Sequence, residues 1–164
     1  MEAITIRLAK ESDLAKINDI YNYYVLNSTC TYQTEPETAA GRAAWFSMHG
    51  PKHPVTIAEL GGNVVGWGSL SKFHPREAYS RTVEDSVYVQ EGLHGRGIGS
   101  ALMRDMVERA KGLGHHTIIA AVDSEQPASM ALHKKFGFLH AGLLREAGFK
   151  FGKWLDALYL QRML

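Results

Sequence analysis

TVEDSVYV (82–89), QEGLH (90–94), GRGIGS (95–100) and ALM (101–103) form the continuous stretch that decides the fold. Residues 82–89 are rich in β-branched and aromatic types with a period of two, which predicts a strand carrying Glu84, Ser86 and Tyr88 on one face. From Gly97 to Leu113, the residues Ile98, Leu102, Met106, Ala110 and Leu113 fall on one side, so a helix is predicted there. Between strand and helix, Gly95, Gly97 and Gly99 stand at every second position. Lacking Cβ atoms, they let consecutive backbone N–H groups turn inward on one anion. The positive end of the following helix points at the same place, and Arg96 can add a charge-assisted contact. Strand, loop and helix together predict a phosphate-binding turn.

Which phosphate is decided by what the loop lacks. A Walker-type nucleotide loop needs Lys-Ser/Thr after its last glycine, whereas Ser100-Ala101 follows here. A dinucleotide fingerprint needs its third glycine where Ser100 stands, and a strand ending directly at the first glycine. Asp123 lies at a suitable distance for the ribose acid, but Gln90 to His94 intervene before Gly95. A glycine-rich turn with no ligand accounts for the glycines alone, but not for the strand before them and the amphipathic helix after them.

Working outward, Ala3–Leu8 alternates Ile4, Ile6 and Leu8 and reads as a half-buried strand. Leu14, Ile17, Ile20, Tyr21, Tyr24 and Val25 predict a helix from Glu11 to Leu26. A polar stretch, Asn27 to Pro36, precedes a second helix expected from Glu37 to Met48. Val55–Leu60 and Val64–Ser71 flank Gly61-Gly62-Asn63 as a hairpin. Phe73–Arg81 reads as an irregular connection. His116–Val122 is a continuous apolar strand, and Pro127 opens a helix that Gly137 stops. Strands at Phe138–Glu146 and Trp154–Met163 complete the order βααβββαβαββ. No repeat, low-complexity tract or linker divides residues 1–164, so one mixed α/β domain is expected.

Bulk properties narrow the partners. Eighteen Lys and Arg against 17 Asp and Glu give +1, which offers no global footprint for nucleic acid or acidic membranes. Any anion must be recognised locally. Cys30 is the only cysteine, so no internal disulfide forms. The N-terminal MEAITIRLAKESDL lacks a signal-peptide pattern, and no apolar run reaches the ~20 residues of a membrane span. The expectation is a cytoplasmic protein without membrane contact. The histidines show no metal-ligand spacing, and no metal is expected; His115-His116 reads as a strand start. Trp45, Phe46, Trp67 and Trp154 read as core or subunit-interface residues.

VYVQEGLHGRGIGSALM (87–103) resembles the acetyl-CoA signature of the GCN5-related N-acetyltransferases, Arg/Gln-x-x-Gly-x-Gly/Ala. Ile4-Thr5-Ile6-Arg7 with Ser12-Asp13-Leu14 is similar to the family's opening strand and helix, and SMALHKKFGF (129–138) to its late helix. TVEDSVYV, ASMALHKKFGF and GFKFGKWLD (148–156) resemble the branch that acetylates phosphinothricin and methionine sulfoximine, across essentially the whole chain.

The resemblance implies an α/β (α+β) fold with a mixed central sheet, flanked by helices and splayed between two strands at the acetyl-CoA site. It implies that the backbone of Val87, Tyr88 and Val89 meets the pantetheine arm, with the Tyr88 or Val89 N–H polarising the thioester. The pyrophosphate is then expected on His94, Gly95, Arg96, Gly97, Ile98, Gly99 and Ser100. His94 departs from the family's Arg or Gln and brings no fixed charge. Gln126 stands where the family often has an Asn that touches the cofactor, and its amide is expected to bind the cofactor in the same way. His133 stands where many relatives have a Tyr general acid; it is expected either to act in catalysis or to pack against the sulfur end of the cofactor. Glu84 is the expected general base, and a structural ion pair is its alternative role.

The acceptor is expected between Thr29–Thr34 and Phe73–Arg81. His74-Pro75-Arg76 and Glu84-Asp85-Ser86 are the segments the resemblance turns toward an amino-acid-like substrate. His74 or Arg76 suits its carboxylate or phosphinate, Glu84 or Asp85 its ammonium. Tyr79 and Arg81 are equally placed, and Arg76 and Glu77 can equally be a solvated loop. The expected function is transfer of acetyl from acetyl-CoA to the α-amino group of a small molecule in a ternary complex, by a homodimer. The alternatives are another small amine, such as a polyamine or aminoglycoside, and a non-catalytic acyl-CoA-binding module. A polyamine site calls for an acidic groove, and only Glu84 and Asp85 cluster.

Overall fold

Period-two patterns become seven strands, and helical patterns four α-helices, in the computed structural model, which describes residues 2–164. The strands are β1 (Ile4–Leu8), β2 (Val55–Leu60), β3 (Asn63–Lys72), β4 (Thr82–Val89), β5 (Thr117–Asp123), β6 (Leu139–Lys150) and β7 (Lys153–Met163). The helices are α1 (Leu14–Asn27), α2 (Ala39–Ser47), α3 (Ile98–Gly112) and α4 (Pro127–Lys135). All strands join one mixed sheet in the order β1-β2-β3-β4-β5-β7-β6.

Neighbouring strands are antiparallel except β4 and β5. That parallel pair joins only Thr82 to Thr117, Val83 to Ile118 and Glu84 to Ile119. Beyond Glu84 the two strands part. Each stays held on its outer side, β4 by β3 as far as Val89 opposite Gly66, and β5 by β7 as far as Asp123 opposite Ala157. The sheet therefore opens as a fork, as the family resemblance implies.

Three boundaries differ from the sequence pattern for local reasons. Glu11–Asp13 forms a 3₁₀ turn before α1. Asp13 accepts from the Lys10 N–H at 2.7 Å and from Arg7 at 2.7 and 2.9 Å, which tightens the entry. Helix α2 starts at Ala39 rather than Glu37 because Thr38 Oγ1 caps it, accepting from the Gly41 N–H at 2.9 Å. Strands β6 and β7 reach toward each other as one long hairpin, turning at Phe151 and Gly152 with φ of 53° and 74°. Two register shifts in β6, at His140/Gly142 and Leu144/Gly148, obscure its alternation.

Helices cover both faces. On one, α3 and α4 enclose Leu70, Val83, Met103, Met106, Ile118, Val122 and Phe138. On the other, α1 and α2 pack Ile17, Ile20 and Tyr24 over Val55, Ile57 and Trp67, with Trp45 and Phe46 against them. Of the four aromatics marked in the sequence, only Trp154 is outside these clusters, 62% exposed. Helix α3 lies close on β3 because that strand has glycines beneath it. A Cβ at Gly66 would sit 3.0 Å from the Tyr88 carbonyl oxygen, 3.1 Å from Ile98 and 3.2 Å from Leu102. Gly66→Val is therefore expected to overpack this contact at a cost of about 1–3 kcal/mol. In thermal unfolding each kcal/mol lowers the midpoint by roughly 2–4 °C for a chain of this size. An unchanged midpoint refutes the close approach.

Candidate active site

The fork turns backbone groups into ligands. The Gln90 N–H donates to the Val65 carbonyl at 2.8 Å, in register with Tyr88 opposite Trp67 and Ser86 opposite Ser69. In an antiparallel ladder, alternate residues point both backbone groups the same way. Ser86, Tyr88 and Gln90 therefore face β3, whereas Val87 and Val89 face the opening. Of the two amides expected at the thioester, that of Tyr88 is spent in the sheet and that of Val89 is presented to the fork. The Val89 carbonyl is already taken, accepting from the Tyr24 hydroxyl at 2.5 Å.

At the mouth of the fork lies the glycine loop. Gly95 and Gly97 have φ of 76° and 84°, and a Cβ on either would meet nothing within 4 Å. No backbone N–H from His94 to Ser100 has an acceptor among the described residues; the first paired amide is Ala101, on the Gly97 carbonyl at 2.9 Å. These free donors and the first turn of α3 make an anion cradle. Gly99 serves differently, since a Cβ there would lie 3.4 Å from Leu132 of α4. Arg96 is exposed and off the lining of the cleft. The cation near the cradle is Lys135, whose Nζ donates to Ser100 Oγ at 3.0 Å.

His94 is turned away from this cradle toward α1. Its Nε2 lies 2.9 Å from the Tyr24 hydroxyl oxygen. Because Tyr24 gives its own proton to Val89, Nε2 is the donor in this bond. His94 thus ties the loop to α1, a job that needs no fixed charge. Burial, with the charge of Glu91, pushes the Tyr24 hydroxyl well above its usual range, so Tyr24 remains a donor.

A cleft of about 720 Å³ runs from the cradle into the fork. Val87, Tyr88, Val89, Gln126 and His133 line it, as do Glu84, Asp85 and Ser86. Glu84 and Asp85 point to opposite faces of β4. The Glu84 carboxylate has no hydrogen-bond or ion-pair partner among the described residues. Burial raises its pKa above the ordinary 4.5, and the charge of Asp85 adds to this. Asp85 instead meets His133 Nε2 at 2.8 Å, with both side chains buried. Gln126 Nε2 donates to Thr29 Oγ1 at 3.1 Å, and Thr29 donates to Asp123.

His74, Pro75 and Arg76 do not line the cleft. They sit in the β3–β4 connection, where His74 packs on Tyr79 at 4.6 Å between centroids and accepts from the Arg76 N–H at 3.1 Å. The wall of the cleft facing Glu84 includes Cys30, Thr31, Tyr32, Asp123 and Tyr159. Thr31 and Tyr32 belong to the polar segment marked in the sequence. Tyr159 and Asp123 come from strand positions with no distinguishing local pattern. Burial and the nearby Asp123 push the Tyr32 hydroxyl up to about 12. Lys150 fixes this wall from behind, donating to the carbonyls of Ser28 at 2.6 Å and Thr31 at 2.8 Å.

The model of the acetyltransferase (GNAT) family matches residues 17–138. The L-methionine sulfoximine/L-methionine sulfone acetyltransferase of Pseudomonas aeruginosa is 38% identical over 96% of this chain and 92% of its own. The phosphinothricin N-acetyltransferase of Alcaligenes faecalis is 35% identical over 99% and 83%. A phosphinothricin acetyltransferase from Sinorhizobium meliloti, solved in complex with acetyl-CoA, superposes with a TM-score of 0.94 at 39% identity, covering 98% of this chain and 88% of that one. The chain belongs to the GNAT family. It is an acetyl-CoA-dependent N-acetyltransferase, and its unpaired loop amides and open fork fit that co-substrate.

Among the described residues no helix is long and apolar enough to cross a membrane, and no group of three or more His, Cys, Asp or Glu could hold a metal ion. At Gly97, φ of 84° disfavours any side chain, a β-branched one most of all. Gly97→Val is expected to weaken acetyl-CoA by about 5- to 30-fold, the equivalent of roughly 1–2 kcal/mol for forcing the left-handed backbone the cradle needs. Calorimetric titration reads this directly, and unchanged affinity refutes the cradle.

Proposed function

We propose that the protein acetylates the α-amino group of a small amino-acid-like substrate such as methionine sulfoximine or phosphinothricin, with Glu84 as general base. The observation that carries this reading is the unpartnered, half-buried Glu84 carboxylate at the base of the fork. The naming of the relatives from Pseudomonas aeruginosa and Alcaligenes faecalis supports the choice of substrate class.

Acetyl-CoA supplies the activated acetyl group as a thioester. His94 to Ser100 hold its pyrophosphate through backbone amides, and Val87 and Val89 receive the pantetheine arm. The Val89 N–H donates to the thioester oxygen, where negative charge develops. Glu84 takes one proton from the acceptor ammonium, freeing the nitrogen lone pair for attack. The nitrogen gives up a second proton as the carbon–sulfur bond breaks, so the products are the amide, free thiol and one proton released through Glu84. Gln126, which lines the cleft and donates to Thr29, offers the rest of its amide to the cofactor. Ser86 shares the Glu84 face and borders the acceptor. His74, Pro75 and Arg76 lie in the connection that enters β4 at the Glu84 end, outside the lining of the cleft, so a role for a cation there in holding the acceptor's carboxylate rests on the family resemblance.

We also read the protein as a cytoplasmic homodimer. Phe149, Phe151 and Trp154 expose 55%, 57% and 62% of their surface at the tip of the β6–β7 hairpin, an apolar patch that a second copy can cover. Sedimentation velocity is expected to show a dimer, and Trp154→Glu to shift it toward monomer.

Glu84→Gln is expected to lower kcat by about 10²–10⁴-fold and leave acetyl-CoA affinity unchanged. The base must be ionised to act, and its pKa is raised above 4.5, so kcat/KM should climb with pH through a limb centred above that value. The limb should vanish in the variant. A thiol-release assay over amino acids, their analogues and simple amines tests the substrate. Binding of acetyl-CoA with no amine acetylated overturns the reading.

A further inference from the structure

The fork opens at a point held by a buried ion pair. Glu84 is the last β4 residue paired with β5, and the next residue, Asp85, turns to the α3–α4 face. There it meets His133 from the last turns of α4, Nε2 to Oδ2 at 2.8 Å. The other ring nitrogen, Nδ1, lies 2.7 Å from the Ser129 carbonyl oxygen. The side chains are 6% and 2% exposed, and Phe138 packs edge-on against the imidazole at 4.9 Å between centroids.

The two close partners of the ring are acceptors, and the Ser129 hydroxyl stands farther off, 3.5 Å from Nδ1. A carbonyl oxygen has no proton to give, and neither does an ionised carboxylate, so both ring nitrogens carry hydrogen. Burial alone works against the charged ring. The charge and hydrogen bond of Asp85, with the Ser129 carbonyl, outweigh it and hold the pKa above 6.5. The other charge felt by Asp85 is its neighbour Glu84. Glu84 points to the opposite face, Lys134 is exposed, and Lys135 is drawn to Ser100.

We propose that His133 is a positioning residue rather than the proton donor to the leaving sulfur: with Asp85 it forms a fixed ion pair that pins α4 to β4 where the fork opens. A donor needs a proton aimed at the sulfur, and both His133 protons are aimed at fixed protein oxygens. Giving up the Nε2 proton would strand the Asp85 carboxylate in a buried site, which is costly. The sulfur then takes its proton from the attacking nitrogen or from water. The inference rests on the reading of this cleft as the acetyl-CoA site.

Replacing the pair by a neutral one, Asp85→Asn with His133→Gln, keeps a hydrogen bond but removes the titratable proton. Activity with methionine sulfoximine at saturating acetyl-CoA is expected to stay within about fivefold of wild type. His133→Ala should raise the Kd for acetyl-CoA and lower the thermal midpoint, while kcat at saturation changes little. A fall in kcat of about a hundredfold or more in the double variant, with Kd unchanged, is the size of a lost general acid and overturns the proposal. A second measurement needs no variant and no turnover. Nitrogen-15 NMR of the wild-type protein should show both His133 ring nitrogens protonated at neutral pH, and a neutral tautomer there overturns the proposal. Wild type that fails to bind acetyl-CoA instead contradicts the assignment of the cleft and leaves the NMR result to judge the pair.

Discussion

The parting of β4 from β5 after Glu84 is the constraint on which the site depends. A parallel pair of full length would satisfy the backbone of Val87 and Val89 inside the sheet and leave no opening. Because each strand is zipped to its outer neighbour, the fork stays open without loss of the sheet. Its free edge supplies directional donors, and the crossover helix α3 is forced to begin at its mouth. The amide cradle of the glycine loop and the amide of Val89 therefore lie in one cleft, which a long thioester-bearing ligand can span.

Adjacent carboxylates on β4 show how strand alternation separates roles. Glu84 turns to the α1 face, has no partner, and is less acidic than a free glutamate because it is half-buried near another carboxylate. Asp85 turns to the α4 face and is neutralised by His133. Two acids one residue apart thus become one unpartnered carboxylate and one half of an ion pair. The same division marks the loop, where the backbone amides are left free while the His94 side chain grips Tyr24.

Family membership and an anion-binding turn were legible in the local pattern, because Gly95 and Gly97 act through backbone conformation and the spacing of the glycines is written in the chain. The face on which Glu84 lies was legible too, since a period of two sets it, while the role expected of it came from the family resemblance. The partners of these groups were not. Tyr24 reads as an ordinary apolar position of an amphipathic helix until its hydroxyl is found on Val89. Lys135 and Arg96 look alike as cations, and only the packing of α4 against α3 puts Lys135 beside the cradle. Lys150 lies in a segment whose strand character two register shifts concealed.

The order of elements, the phosphate-binding turn and the resemblance to the GNAT family follow from the sequence alone, since periodicity, glycine placement and motif spacing are local properties. Tertiary structure decided which Val or Tyr amide reaches the cleft, that His133 is held between two acceptors, and that Glu84 alone of the acidic pair is free. These depend on ladder register and on which face of a neighbouring element arrives opposite, quantities set by packing between segments far apart in the chain.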